Sequence, residues 1–202
     1  MTVYEDSELE ILNAGRANPL TGGASFSLSN RLYRALWILT WLLLARWTPR
    51  PLRAWRRFLL RSFGARMGQG ADVRGAAKVW SPSNLIMHDY ALVGPGVHCY
   101  NMATVELGRF VVISQRAHIC GGTHEIDEPT MQLRARPIRI GAHAWVAAEA
   151  FVGPGVTIGE GTVLGARGVA TRDLEPWSVY AGNPARWIKA RRNIGAARES
   201  LV

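Results

Sequence analysis

The chain has 202 residues, 48% hydrophobic and 19% charged, enough for a full core in one or two domains. A formal net charge of +9 favours anionic partners, and no long low-complexity tract is present. Two cysteines, Cys99 and Cys120, form no metal or redox spacing, so free thiols in a reducing compartment, the cytoplasm, are expected.

The first ten residues, MTVYEDSELE, are acidic and polar, unlike a secretory signal. Residues 1–30 read as a polar, flexible tail, and residues 31–66 as a basic helical segment rich in Trp and Arg. No acid lies between Glu10 and Asp72, whereas ten arginines do, from Arg16 to Arg66. The apolar run ALWILTWLLLA spans Ala35 to Ala45, bounded by Arg34 and Arg46. A membrane-spanning helix needs about twenty apolar residues, so this run should not cross a bilayer. Pro49 and Pro51 end it. A second helix should follow, with Leu52, Trp55, Leu59 and Phe63 on one stripe and Arg53, Arg57 and Arg61 beside it. Such a hairpin either caps the open end of the next domain or rests a basic surface on anionic lipid, and the two can hold together. The arginines lie among apolar anchors and match no known nucleic-acid module, so no nucleic-acid partner is expected.

From Met67 to about residue 185 the chain repeats every six residues. Ile140, Val146, Val152, Ile158, Leu164 and Ala170 are apolar and six apart, each with a small or apolar residue two positions earlier. Upstream the period returns at Val73, Val79, Leu85, Ala91, Val97 and Ala103, shifts by two near Val105, and continues through Leu107, Ile113 and Ile119. This period fits neither a long amphipathic helix nor a long alternating strand. It fits an all-β solenoid, a parallel β-helix of hexapeptide repeats with about six triangular coils, in which glycines take the turns that need positive φ. Residues 186–202 are expected to form a short C-terminal helix and tail.

The repeat breaks between His118 and Gly141, in HICGGTHEIDEPTMQLRARPIRIG. A loop over residues 121–137 opens on His124. Histidine is the side chain whose ordinary pKa suits removal of a proton from a hydroxyl near neutral pH. A loop leaving a rigid strand can hold such a base in a cleft. On the residues alone, His124 is equally a solvated loop histidine. His88, His98, His118 and His143 read as solvated turn residues or packed interface groups.

The stretches LGRFVVISQRAHICGGTHEID and RPIRIGAHAWVAAEAFVGPGVTIGEGTVLGARGVATRDLEPWSVYAGNPARWIKARR resemble the hexapeptide-repeat O-acetyltransferases. Within these the chain is most similar to the colanic acid biosynthesis acetyltransferases of exopolysaccharide clusters, and more distantly to maltose and galactoside acetyltransferases. The resemblance runs from about Arg31 onward; ISQRAHICGGTH and AGNPARWIK are its most specific pieces. It implies a left-handed winding, a homotrimer with active sites at subunit interfaces, acetyl-CoA as donor and a sugar or lipid-linked sugar as acceptor at the cytoplasmic face. His124 matches the catalytic histidine. Glu125 stands where close relatives carry Asp, and Glu125, Asp127 and Asn101 are acceptor-site or orienting candidates. Trp145, Ala148, Ala166, Thr171, Arg172, Asn183, Arg186 and Lys189 match positions that line the CoA cleft. Arg172, Arg186 and Lys189 can meet phosphates, and Ala148 and Ala166 leave room for the pantetheine arm. For each basic residue singly, a solvated helix face in PARWIKARRNIGAARES is the other reading.

Two other functions use the same solenoid. One is a metalloenzyme like the γ-class carbonic anhydrases, with His98, His118 and His124 round zinc. The six-residue spacing from His118 to His124 is one rung, which sends those two to different faces, and no metal is expected. The other is a non-catalytic scaffold of a polysaccharide assembly complex, which the intact GGTH and AGNPAR motifs disfavour.

Overall fold

The computed structural model describes residues 11–200. The first ten residues of the expected tail, and residues 201–202, lie outside that range. The rest of the expected tail carries structure. Helix α1 (Ala14–Ala17) is capped by the Asn13 side chain, which accepts from the Arg16 N–H. Ile11 bridges Phe26, and Phe26 packs on Trp80 at 5.2 Å.

Two helices follow, α2 (Leu28–Leu44) and α3 (Arg53–Ser62). Among the described residues no helix is long and apolar enough to cross a membrane. Both helices pack on the first coil of the solenoid. Trp37 Nε1 donates to the Val79 carbonyl at 2.7 Å, and Trp41 Nε1 to the Gly75 carbonyl at 3.0 Å. Trp37, Trp41, Ala45, Leu59 and Leu60 belong to the same buried cluster as the coils beyond them. The expected stripe on α3 is corrected: Leu52 and Trp55 are exposed, Phe63 is half-buried, and Arg56 goes inward with Leu59 and Leu60. Arg56 is buried because its hydrogen bonds are met there. It donates to Asp72 Oδ1 at 2.9 Å, to the Val73 carbonyl and to the Pro49 carbonyl. Asp72, the first acid after Glu10, thus neutralises one arginine of the basic segment. Breaking such a buried pair from one side costs about 3–5 kcal/mol.

The solenoid has five complete coils of three strands. They are β1 (Arg66–Met67), β2 (Asp72–Val73), β3 (Lys78–Val79); β4 (Leu85–Met87), β5 (Leu92–Val93), β6 (His98–Tyr100); β7 (Val105–Leu107), β8 (Val112–Ile113), β9 (His118–Cys120); β12 (Ile138–Ile140), β13 (Trp145–Val146), β14 (Phe151–Val152); and β15 (Thr157–Ile158), β16 (Val163–Leu164), β17 (Val169–Ala170). A sixth begins at Leu174, which bridges Ile158, and continues in β18 (Ser178–Ala181). Every strand pairs in parallel with its counterpart one coil away. This gives a first face β1-β4-β7-β12-β15, a second face β2-β5-β8-β13-β16-β18 and a third face β3-β6-β9-β14-β17. The stacked Val, Ile and Leu rows form one continuous core.

The upstream register needs one correction. Arg66 pairs with Ile86 and Ile86 with Glu106, twenty residues per coil, whereas Arg139 pairs with Thr157, eighteen. The two-residue excess falls at the corner from the third to the first face, in the 3₁₀ turn Pro82–Asn84 and again at 101–104. The rung positions after Val79 are therefore Met87, Val93 and Cys99, not Leu85, Ala91 and Val97. The latter three are also buried, two residues before each rung, which is why the period looked unbroken.

The corners differ from expectation as well. Glycines do take positive φ, as at Gly70, Gly96 and Gly161, but so do Tyr90, Phe110, His143 and Trp177. These four share one corner column: Tyr90 stacks on Phe110 at 5.2 Å, Phe110 on His143 at 5.3 Å and His143 on Trp177 at 6.2 Å. Ring stacking along the column offsets the left-handed backbone.

The C-terminal segment also departs from a helix. Residues Arg186–Ala190 form strand β19, antiparallel to β18, and the short helix α4 (Gly195–Glu199) follows.

Candidate active site

The break in the repeat is an antiparallel hairpin, β10 (Gly122–His124) against β11 (Leu133–Ala135), rising from the corner between the third and first faces. Glycine gives its base room. A Cβ on Gly122 would lie 2.6 Å from Met102 Sδ and 3.0 Å from the Tyr100 ring, so a larger residue would have to push the buried Met102 side chain aside. The turn closes through Glu125 N–H to the Gln132 carbonyl, 2.9 Å, and Met131 N–H to the Glu128 carbonyl, 2.9 Å.

His124 sits exposed at the end of β10, with its Nδ1 2.7 Å from the Met131 carbonyl. A carbonyl only accepts, so Nδ1 carries the proton. The neutral ring then holds its lone pair on Nε2, the atom left to act as base. Glu125 turns to Arg134, 3.1 Å, and so braces the hairpin. Asp127 is exposed in the turn. Asn101 is fully buried, and both ends of its amide are engaged: Oδ1 accepts from the Trp80 and Ser81 N–H groups, and Nδ2 donates to the Ser81 carbonyl at 2.6 Å. Its visible work is to hold the corner where the coil is two residues longer.

The donor candidates divide between corners. Ala148 and Ala166 each stand two residues after the paired Val146 and Leu164, so they lie in one column along the corner from the second to the third face, tied by the Arg167 N–H to the Ala148 carbonyl. Asn183 lies past that column, over β17, where the Val169 N–H donates to the Gly182 carbonyl and the Ala185 N–H to the Val169 carbonyl. Trp145, on the second face, is 44% exposed and donates from Nε1 to Ser114 Oγ at 2.8 Å. Thr171 and Arg172 follow β17, at the corner from which the hairpin springs. In β19 the register against β18 slips by one residue, between the Val179–Lys189 and Tyr180–Trp187 pairs. That bulge restores Arg186 and Lys189 to a common strand face, and all of β19 is exposed. One whole face separates the His124 hairpin from the Ala148 column. A single chain therefore sets His124 and the Ala148 and Ala166 column at different corners.

Across that third face runs an outward row. His98 stacks on His118 at 4.7 Å, and His118 meets Phe151 edge-on at 5.4 Å. Burial holds both histidines below their ordinary 6.5, helped by Lys78 for His98 and by His98 for His118. Among the described residues no group of three or more His, Cys, Asp or Glu side chains is arranged to hold a metal.

Sequence reasoning missed three contributors: the Met131 carbonyl, Ser114 and Gln132. Gln132 Oε1 accepts from the Ala14 N–H at 2.6 Å, and its Nε2 donates to the Leu12 carbonyl at 3.3 Å. Segment 11–14 thereby clasps the His124 hairpin. A carbonyl carries no side-chain signature, and the clasp joins residues more than a hundred apart.

No family model matches the chain. It is 39% identical over 166 residues to WcaF of Escherichia coli (strain K12), assigned as a colanic acid biosynthesis acetyltransferase, covering 82% of this chain and 91% of that one. The chain belongs to the colanic acid biosynthesis acetyltransferase family. As a member of that family, with 91% of the relative's length matched, it is an acetyltransferase. Solved structures agree on the fold, the left-handed parallel β-helix of hexapeptide repeats. The hexapeptide-repeat acetyltransferase VCA0836 of Vibrio cholerae O1 biovar eltor, complexed with acetyl coenzyme A, superposes with a TM-score of 0.75 at 20% identity, covering 90% of this chain and all of that one. A maltose O-acetyltransferase from Clostridium difficile 630 gives 0.70 at 21% identity, covering 83% and 90%.

Proposed function

We propose that this acetyltransferase moves an acetyl group from acetyl-CoA to a sugar hydroxyl. It works as a homotrimer on the cytoplasmic side, in biosynthesis of an exopolysaccharide of the colanic-acid type. The observation that carries the chemistry is the 2.7 Å contact from His124 Nδ1 to the Met131 carbonyl, which leaves Nε2 free on an exposed hairpin. Nε2 takes the hydroxyl proton as the sugar oxygen attacks the thioester carbonyl. The tetrahedral adduct collapses with cleavage of the C–S bond, and the CoA sulfur leaves with the proton from Nε2. Donor and acceptor held side by side need no acyl-enzyme. A donor complex of the Vibrio cholerae neighbour and the maltose acceptor named for the Clostridium difficile neighbour support this pair of substrates. The separation of the hairpin from the Ala148 column supports the trimer, in which a second copy supplies the missing half of each cleft.

The expected outcome for His124→Ala is a fall of about 10²–10⁴ in transfer rate with the affinity for CoA kept. Thiol release from acetyl-CoA in the presence of sugar acceptors measures it. Near-wild-type turnover in the variant would remove His124 as the base. Absence of thiol release in the wild-type trimer across a panel of sugars would favour the scaffold.

A further inference from the structure

Helix α2 carries its apolar surface on the wrong side for a helix in water. Its tryptophans face the solenoid, Trp37 and Trp41 being buried there. Its leucines face away. Leu28, Leu32, Leu36, Leu39 and Leu43 recur at three- and four-residue intervals, hence on one face, and stay 65%, 62%, 58%, 52% and 55% exposed. Helix α3 continues the surface: Trp55 Nε1 donates to the Leu44 carbonyl at 2.8 Å, and the indole stacks on the exposed Phe58 at 5.6 Å. Trp47, 73% exposed, lies in the connection. Arg31, Arg46, Arg50 and Arg53 are exposed around this surface, and no acid occurs between Glu10 and Asp72. A monomer rarely leaves so continuous an apolar face in water.

We propose that the outer face of α2 and α3 docks on an anionic lipid surface, with the helices lying in the headgroup layer. Three features fit one occupant. The leucine row suits the acyl boundary, the exposed indoles suit the headgroup level, and the surrounding arginines meet lipid phosphates. A second copy presenting the same face is disfavoured by charge. Face-to-face pairing would set Arg46, Arg50 and Arg53 against the same cations, with no acid in this segment to pair them. The surface is distinct from the acetyl-transfer site. It also sharpens the charge inventory, because Arg56 is consumed by Asp72 and Arg61 donates to the Met67 carbonyl.

The test is co-sedimentation of the full chain with phosphatidylcholine vesicles, with and without phosphatidylglycerol, at low and high salt. Two variants accompany it, Arg46→Glu/Arg50→Glu/Arg53→Glu and Leu32→Ser/Leu36→Ser/Leu39→Ser. Neither touches the buried cluster or the His124 site. The wild type should bind the anionic vesicles, bind phosphatidylcholine alone more weakly, and lose affinity as salt rises. Each variant should bind at least about tenfold less, with thiol release toward a soluble acceptor unchanged. Indifference of the wild type to anionic vesicles overturns the proposal. So does a leucine variant that keeps full vesicle binding but sediments as a smaller species without lipid, which would make this face a contact between copies. Thiol release is read in solution without vesicles, so failure of docking and failure of acetyl transfer are separate results.

Discussion

His118 and His124 stand six residues apart at the same coil, and their neighbours set them to different work. At His124 a backbone carbonyl fixes the proton on Nδ1 and leaves Nε2 to solvent. At His118 the ring lies between His98 and Phe151, and its Nε2 has no hydrogen-bond partner among the described residues. Burial therefore disfavours the charged form of His118, and the neighbouring His98 adds to it. The consequence for stability has a definite sign. A histidine whose folded pKa lies below its unfolded value binds fewer protons folded than unfolded through that interval, so stability falls with falling pH. The stabilisation is present above about pH 6.5 and is lost as pH drops through the depressed folded values of His98 and His118. The melting temperature should fall between pH 7.5 and pH 5.5, and His118→Phe, which keeps a ring against Phe151, should flatten that fall. An unchanged pH slope in the variant would mean the stacked pair does not titrate in that window. The break in the repeat around His124 was legible in the sequence. The pairing of His98 with His118 was not, because it follows from a coil of twenty residues rather than eighteen.

The hairpin shows what a repeat can and cannot announce. Its existence was readable as a loop over 121–137, since the six-residue period stops there. Its antiparallel pairing and its clasp by segment 11–14 were not, because they depend on one glutamine reaching a distant main chain. The same holds for the cap: the apolar run over 35–45 was visible, but not that its tryptophans face in and its leucines out. With His124 as the proposed base, Gln132 would be a positioning residue, acting through the turn that presents the Met131 carbonyl. Gln132→Ala releases the clasp while leaving both His124 and the carbonyl in the chain. The turnover number should drop, by about tenfold or more if the base strays by a fraction of an ångström, while KM for acetyl-CoA holds. Proteolysis within residues 125–131 should quicken in parallel. A variant with unchanged turnover and unchanged cleavage would show that the hairpin holds its shape without residues 11–14.

At the scale of the molecule, the solenoid sets every distance. Coils stack about 4.8 Å apart, so the third-coil hairpin stands roughly 10 Å along the axis from the first coil, on which α2 and α3 rest. In the proposed trimer, three solenoids packed side by side with cyclic symmetry would place their helical caps at one end, and three weak contacts to one surface would reinforce each other. The same symmetry would decide how a shared active site is divided. If each cleft takes the His124 hairpin from one protomer and the Ala148 and Ala166 column from the next, two inactive proteins can restore each other. His124→Ala lacks the base, and Ala166→Trp fills the exposed column where the donor arm would lie. Co-expressed in equal amounts, they assemble at random. A cleft works only when its hairpin comes from the Ala166→Trp chain and its column from the His124→Ala chain, which happens at about a quarter of interfaces. Thiol release should therefore recover to about a quarter of wild type in the co-expressed population as a whole, and to about a third in the mixed trimers alone, from near zero in each parent. Mixed trimers, confirmed by differential tags, that stay as inactive as their parents would place the whole site within one chain and refute the shared cleft.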